Sequence, residues 1–152
     1  MSGYVSIATG RTRGTEDIDV LVPLMSRDRF RQMFQDLQRA GFWCHQGDTP
    51  DKVFEYLQEG VSVRFAILDQ MFPNAELIPV TEKRKTQRYE LQHPQLMRID
   101  DWTFKAAPIE FEILYTEKVL CGEKDLKDAR HLRDFFKDIL DAERFDEYSR
   151  II

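Results

Sequence analysis

The sequence predicts an α+β fold: a mixed sheet flanked by helices, with further helices gathered toward the C-terminus. Three observations predict it. The stretch "DIDVLVP" (17–23) is a short apolar run closed by a proline, as in a buried strand. A helical repeat of apolar residues follows directly. Beyond Pro108 the strand patterns give way to helical ones. A chain of 152 residues suits one domain, 1–152, with a sizeable core. Structured sequence starts at once with "SGYVSIATG", so the fold is expected to begin here or upstream of Met1.

Residues 3–9 fit a short helix or a strand equally well. After the 17–23 strand, Ser26 is placed to cap a helix in which Phe30, Met33, Phe34, Leu37 and Ala40 share a face and Gly41 ends the turn. Thr49 and Pro50 open a second, shorter helix through Phe54 and Leu57 that stops at Gly60. "VSVRFAIL" (61–68) alternates around Arg64 and is rich in β-branched residues, so a strand is expected. "RYELQHPQLMRI" and "DWTFKA" read as short strands joined by turns. Pro108 opens a helix over "PIEFEILYTEKVL" that stops at Gly122. "EKDLKDARHLRDFFKDIL" sets Leu126, Ala129, Leu132, Phe135, Phe136 and Ile139 on one helical face. A last helix runs through Phe145 and Tyr148.

Composition narrows the function. The net charge of −5 argues against wholesale nucleic-acid binding, although a local basic patch is compatible with it. No apolar run approaches the roughly 18 residues of a membrane span, and no signal-peptide pattern is present. Cys44 and Cys121 lie in no metal-binding spacing and read as buried free thiols of a reducing compartment, so a cytoplasmic location is expected. His45, His93 and His131 share no ligand spacing, which argues against zinc; His131 is expected on a helix surface. Trp43 and Trp102 read as packing residues.

The chemistry concentrates at "GRTRGTEDIDVLVP" (10–23). Side chains at i and i+2 of a strand share a face, so Asp17 and Asp19 are expected side by side, with Ile18 turned into the core. Two adjacent carboxylates repel unless a cation offsets their charge. Mg²⁺ suits them, because it takes one or two carboxylates and completes its shell with water and substrate phosphates. Two such ions roughly 3.5–4 Å apart can clamp both oxygens of a phosphoryl transfer. Arg11 and Arg13 are suited to phosphate oxygens. Gly10 and Gly14 let the loop turn close to a ligand, and Thr15 is placed to bond the loop backbone. Short D-x-D motifs more often mark a polar turn entering a strand than a site.

The whole stretch "SGYVSIATGRTRGTEDIDVLV" resembles the nucleotidyltransferase-fold superfamily, in its minimal, toxin-like branch of the AbiEii type. The resemblance rests on Ser2, Gly3, Arg13, Thr15, Asp17 and Asp19. It is supported by "PIEFEILYTEKVLCGEKDLKDARHL", where Glu110, Lys118, Lys124, Asp125, Asp128 and Ala129 match that branch's helical pattern. It implies a nucleotidyltransferase-like mixed sheet, Mg²⁺ on Asp17 and Asp19, and a nucleoside triphosphate along the "SGY" turn. Ser2, Gly3, Arg11, Arg13, Thr15, Lys124 and Asp125 would bind the nucleotide, and Lys118 would join the catalytic set. A nucleotidyl group would pass to an RNA or protein acceptor with release of pyrophosphate.

That pattern also wants a third carboxylate on a later strand. In "SVRFAIL" the facing position is Arg64, which is expected to pair with Asp17 or Asp19 and displace the metal; Asp69, at the far end, is the substitute. Three readings stay open: an active nucleotidyltransferase, a catalytically degenerate relative that binds a nucleotide, RNA or protein partner, and an interaction module that docks through its acidic C-terminal helices. The run "TEKRKTQR", with Lys83, Arg84, Lys85 and Arg88, is either a solvated loop or a landing site for an acidic acceptor such as RNA.

Overall fold

A computed structural model describes residues 2–152 apart from Arg13 and Asp100. The fold is α+β, with seven α-helices, a four-stranded mixed sheet and a two-stranded sheet among the described residues. Two compact units carry it. One is Thr15–Arg88; the other joins Met1–Gly14 to Tyr89–Ile152.

The Thr15–Arg88 unit holds the larger sheet. Its strands are β1 (Asp17–Pro23), β2 (Phe42–Cys44), β3 (Val63–Ile67) and β4 (Asn74–Val80), in the order β1-β4-β3-β2. β1 and β4 run parallel, and the other pairings are antiparallel. Helix α2 (Arg27–Arg39) begins as the sequence predicts: the Ser26 side chain accepts the Arg29 N–H. Helix α3 (Pro50–Gln58) starts at Pro50, whose missing N–H costs nothing in a first turn. Gly41 and Gly60, at φ 85° and 81°, end the two helices.

Alternation sorts the sheet into two faces. Val22, Leu77, Val63, Phe65 and Cys44 point to one side and pack with Phe30 and Phe34 of α2 and Val53, Phe54 and Leu57 of α3. Three phenylalanines bind this core together: Phe34 stands edge-on to Phe65 and tilts against Phe30. The opposite face carries Asp17, Asp19, Glu76, Arg64 and Trp43, the residues of the other parity.

The second unit contains α1 (Ser2–Ala8), the hairpin β5 (Gln95–Ile99) and β6 (Trp102–Ala106), α5 (Ile109–Tyr115), α6 (Glu123–Phe135) and α7 (Ala142–Ser149). Val5, Ala106, Ile109, Ile113, Ala129 and Leu132 form its main core. Helix α4 (Lys85–Gln92) spans the division between the units.

Several expectations are corrected. Residues 3–9 lie in a helix up to Ala8. "RYELQ" is helical, the end of α4: Lys, Gln, Arg, Glu and Leu favour a helix, and Pro94 ends it. "NAELIPV" is a strand that the sequence reading did not assign. β3 pairs with β4 only from Asn74 to Leu77, so Pro79 faces no β3 amide partner and its absent N–H costs little. The helix after Pro108 passes into a π-helical turn, Thr116–Leu120, and ends at Cys121 with φ 55°, one residue before Gly122. The expected helix through Ile139 ends at Phe135, and its buried stripe is narrow: Ala129 and Leu132 are buried, whereas Leu126 and Phe135 are exposed, as is Ile139 beyond the helix end. Trp102 is 75% exposed on the hairpin, not a core residue. Cys44 is buried, and burial pushes its thiol pKa up. Cys121 is exposed, contrary to expectation. No helix among the described residues is long and apolar enough to cross a membrane.

Candidate metal centre

Asp17 and Asp19 stand on the same face of β1, and the parallel register sets Asn74 beside Asp17 and Glu76 beside Asp19. Three carboxylates therefore meet: one oxygen each from Asp17, Asp19 and Glu76 lies within 4.8 Å of the others. All three side chains are half-buried. Thr15 Oγ1 donates to the Asp17 carbonyl at 2.8 Å, tying the entering loop to the start of β1.

The third acid is Glu76, which the sequence reading missed. The order β1-β4-β3 explains why. β4 lies between β1 and β3, so the neighbour of the acid pair is β4 and not the strand of Arg64. Arg64 sits opposite Glu76 and donates from Nη2 to Glu76 Oε2 at 2.7 Å. The expected pairing of Arg64 with Asp17 or Asp19 is replaced by a pairing with the third acid. The only hint in the sequence was the alternation of Asn74, Glu76 and Ile78 against Ala75 and Leu77.

The donor set fits a hard divalent cation. It is all oxygen, it comes from two adjacent strands, and it leaves positions for water and phosphate. A further buried oxygen lies on the same face. Asn74 is 4% exposed; its Nδ2 donates to the Glu16 carbonyl at 3.3 Å, while Oδ1 has no hydrogen-bond partner. A buried, unsatisfied carbonyl costs roughly 1–3 kcal/mol, and a cation or its bound water would satisfy it.

The remaining candidates are placed as follows. Asp69 is exposed in the turn after β3 at φ 66°, and it is not among the three carboxylates that meet. Ser2 and Gly3 form the first turn of α1 rather than a free loop turn. Arg13 lies outside the described residues. Arg11 is ion-paired with Asp128, which is fully buried on α6, so its guanidinium already has a structural partner. Lys118 donates to Ser149 Oγ at 2.8 Å. Lys124 and Asp125 lie in the first turn of α6, Lys124 exposed. Glu110, matched in the same pattern, is buried and accepts the Asp141 N–H at 3.1 Å.

The histidines serve packing and hydrogen bonding. His131 Nε2 lies 2.9 Å from Thr9 Oγ1, and the His45 ring lies against Trp43. In the basic run, Lys83, Lys85 and Arg88 are exposed, whereas Arg84 donates to the Gly60 carbonyl at 3.2 Å. No protein-family model matches the chain, and no curated protein matches its sequence.

Proposed function

We propose that the protein is a metal-dependent nucleotidyltransferase that moves a nucleotidyl group from a nucleoside triphosphate to an RNA or protein acceptor. The observation that carries this reading is the convergence of Asp17, Asp19 and Glu76 on one sheet face, with oxygens within 4.8 Å. These residues would hold Mg²⁺, which when bound supplies positive charge to the transferring phosphoryl group. An acceptor hydroxyl forms the new bond to the α-phosphorus, the bond to the β-phosphate breaks, and pyrophosphate leaves. One carboxylate of the triad accepts the hydroxyl proton. Thr15 holds the loop that precedes Asp17.

A second reading is favoured by one contact. Arg64 occupies Oε2 of Glu76 and offsets part of the site's negative charge. In that reading the face binds a nucleotide, RNA or partner without transfer.

The test incubates the purified chain with each of the four α-³²P-labelled triphosphates, Mg²⁺ or Mn²⁺, and total RNA or cell protein. Label transfer that is lost in Asp17→Asn supports the enzyme. Triphosphate binding without transfer or pyrophosphate release selects the degenerate reading. Absence of both divalent-cation and triphosphate binding overturns the enzyme and leaves only RNA or partner binding to the second reading.

A further inference from the structure

Resting on the divalent-cation reading of this face, we propose that Arg64 is a phosphate-binding residue, so that the face takes a linear polyphosphate chelated to a metal. The carboxylates would meet the cation and the Arg64 guanidinium a phosphate oxygen.

Arg64 is well placed for this. Its position is fixed, because β3 lies between β2 and β4. Its backbone N–H donates to Gln46 Oε1 at 2.7 Å, and its carbonyl accepts the His45 N–H at 2.9 Å. Its side chain is 39% exposed, and among the described residues the guanidinium donates to Glu76 alone. A guanidinium has five N–H donors in a planar fork that matches phosphate oxygens. Most of that capacity therefore remains for a ligand. Ala66, two residues along β3 on the same face, is small.

Charge points the same way. Asp17, Asp19 and Glu76 bring three formal negative charges to this face and Arg64 one positive. A bare acidic triad would repel a triphosphate approaching with its metal. A guanidinium held beside the triad by one carboxylate lowers that repulsion and supplies a directed contact. The ion pair itself, with one partner well exposed, contributes little to stability.

The test compares wild type with Arg64→Gln and Arg64→Lys, after unfolding curves establish that all three are folded. Free Mn²⁺ is titrated first by electron paramagnetic resonance. Mn²⁺·ATP and Mn²⁺·tripolyphosphate are then titrated by calorimetry. Arg64→Gln is expected to bind free Mn²⁺ as tightly as wild type or several-fold tighter, because a neighbouring cation is gone. It is expected to bind both chelates at least ten-fold more weakly, and Arg64→Lys to recover part of the loss. Unchanged chelate affinity, or an equal loss for free Mn²⁺ and chelate, overturns the assignment. A loss confined to ATP, with tripolyphosphate unaffected, places Arg64 on the nucleoside and overturns it too. Failure of wild type to bind Mn²⁺ at all refutes the metal reading beneath it, a result separable from failure of Arg64 alone.

Discussion

Arg64 and Glu76 face each other across β3 and β4 with 2.7 Å between Nη2 and Oε2, and this contact links the acidic face to the only strand that sequence reasoning had aligned with it. Glu76 therefore pairs with a guanidinium and, under the proposed function, would also share a cation with Asp17 and Asp19. Glu76→Gln is expected to weaken Mn²⁺ binding at least ten-fold. Stability should change by about 1 kcal/mol or less, because Arg64 is substantially exposed and such pairs contribute little. Calorimetry with Mn²⁺ and urea unfolding check both parts; undiminished Mn²⁺ affinity would remove Glu76 from the site.

Arg11 and Asp128 make the opposite case, an ion pair whose carboxylate is fully buried. Removing one member strands a charge in a poorly solvated place, which costs about 3–5 kcal/mol. Arg11→Ala, which leaves the Asp128 carboxylate buried without that guanidinium, should lower unfolding free energy by that order while leaving Mn²⁺ affinity intact. A variant as stable as wild type in urea would show that the pair is not structurally important.

The sheet face was half legible in the sequence, for a reason of register. The i, i+2 spacing of Asp17 and Asp19 is local, so period-two alternation was enough to put them on one face. Glu76 reaches them through a parallel pairing across more than fifty residues of intervening chain, and such long-range pairing leaves no local mark. Pro79 is tolerated in that strand because β3 stops short of it. Arg64 misled for the same reason: the strand was right, but its neighbour was not.

Helix ends were more legible than helix faces. Ser26, Pro50, Gly41 and Gly60 act through one or two backbone groups, and each marks an observed terminus. Phe135 fits the helical period of α6 yet remains exposed, because burial depends on which elements pack there, and Ile139 lies beyond the helix end altogether. "RYELQ", read as strand, is helical, in keeping with the helix-forming Arg, Glu, Leu and Gln it carries.

Glu90, on α4, is 6% exposed, and its pKa is pushed up to about 8 by burial, reinforced by the charge of Glu112. In the unfolded chain a glutamate titrates near an ordinary value of about 4.3. Between these two values the folded state holds the extra proton, so its contribution to stability is fully present below the lower value. It is lost as pH rises through about 8. The slope is at most about 1.4 kcal/mol per pH unit. Glu90→Gln should therefore flatten the decline and leave the variant more stable than wild type at pH 9. Urea midpoints at pH 5, 7 and 9 measure this; parallel curves for the two proteins would show that Glu90 ionises normally.

Asp17 gives the prediction that joins stability to binding. Without a cation, the carboxylates of Asp17, Asp19 and Glu76 stand within 4.8 Å and repel. Two like charges about 4 Å apart cost about 1 kcal/mol in a water-like medium and more where solvent is partly excluded. Asp17→Asn removes one charge at almost constant shape, so in EDTA and low salt the variant should be more stable than wild type by roughly 1 kcal/mol. Salt at 1 M shortens the screening length to about 3 Å and should shrink that difference. Adding Mg²⁺ at a hundred times its dissociation constant stabilises a one-site protein by about 2.7 kcal/mol. Wild type should gain close to this amount, and Asp17→Asn much less. The order of stability should therefore invert between EDTA and Mg²⁺, with wild type lower in the first condition and higher in the second. Thermal unfolding of both proteins across a Mg²⁺ titration reads the crossing directly. A constant offset at every Mg²⁺ concentration would mean that the acidic face binds no divalent cation through Asp17.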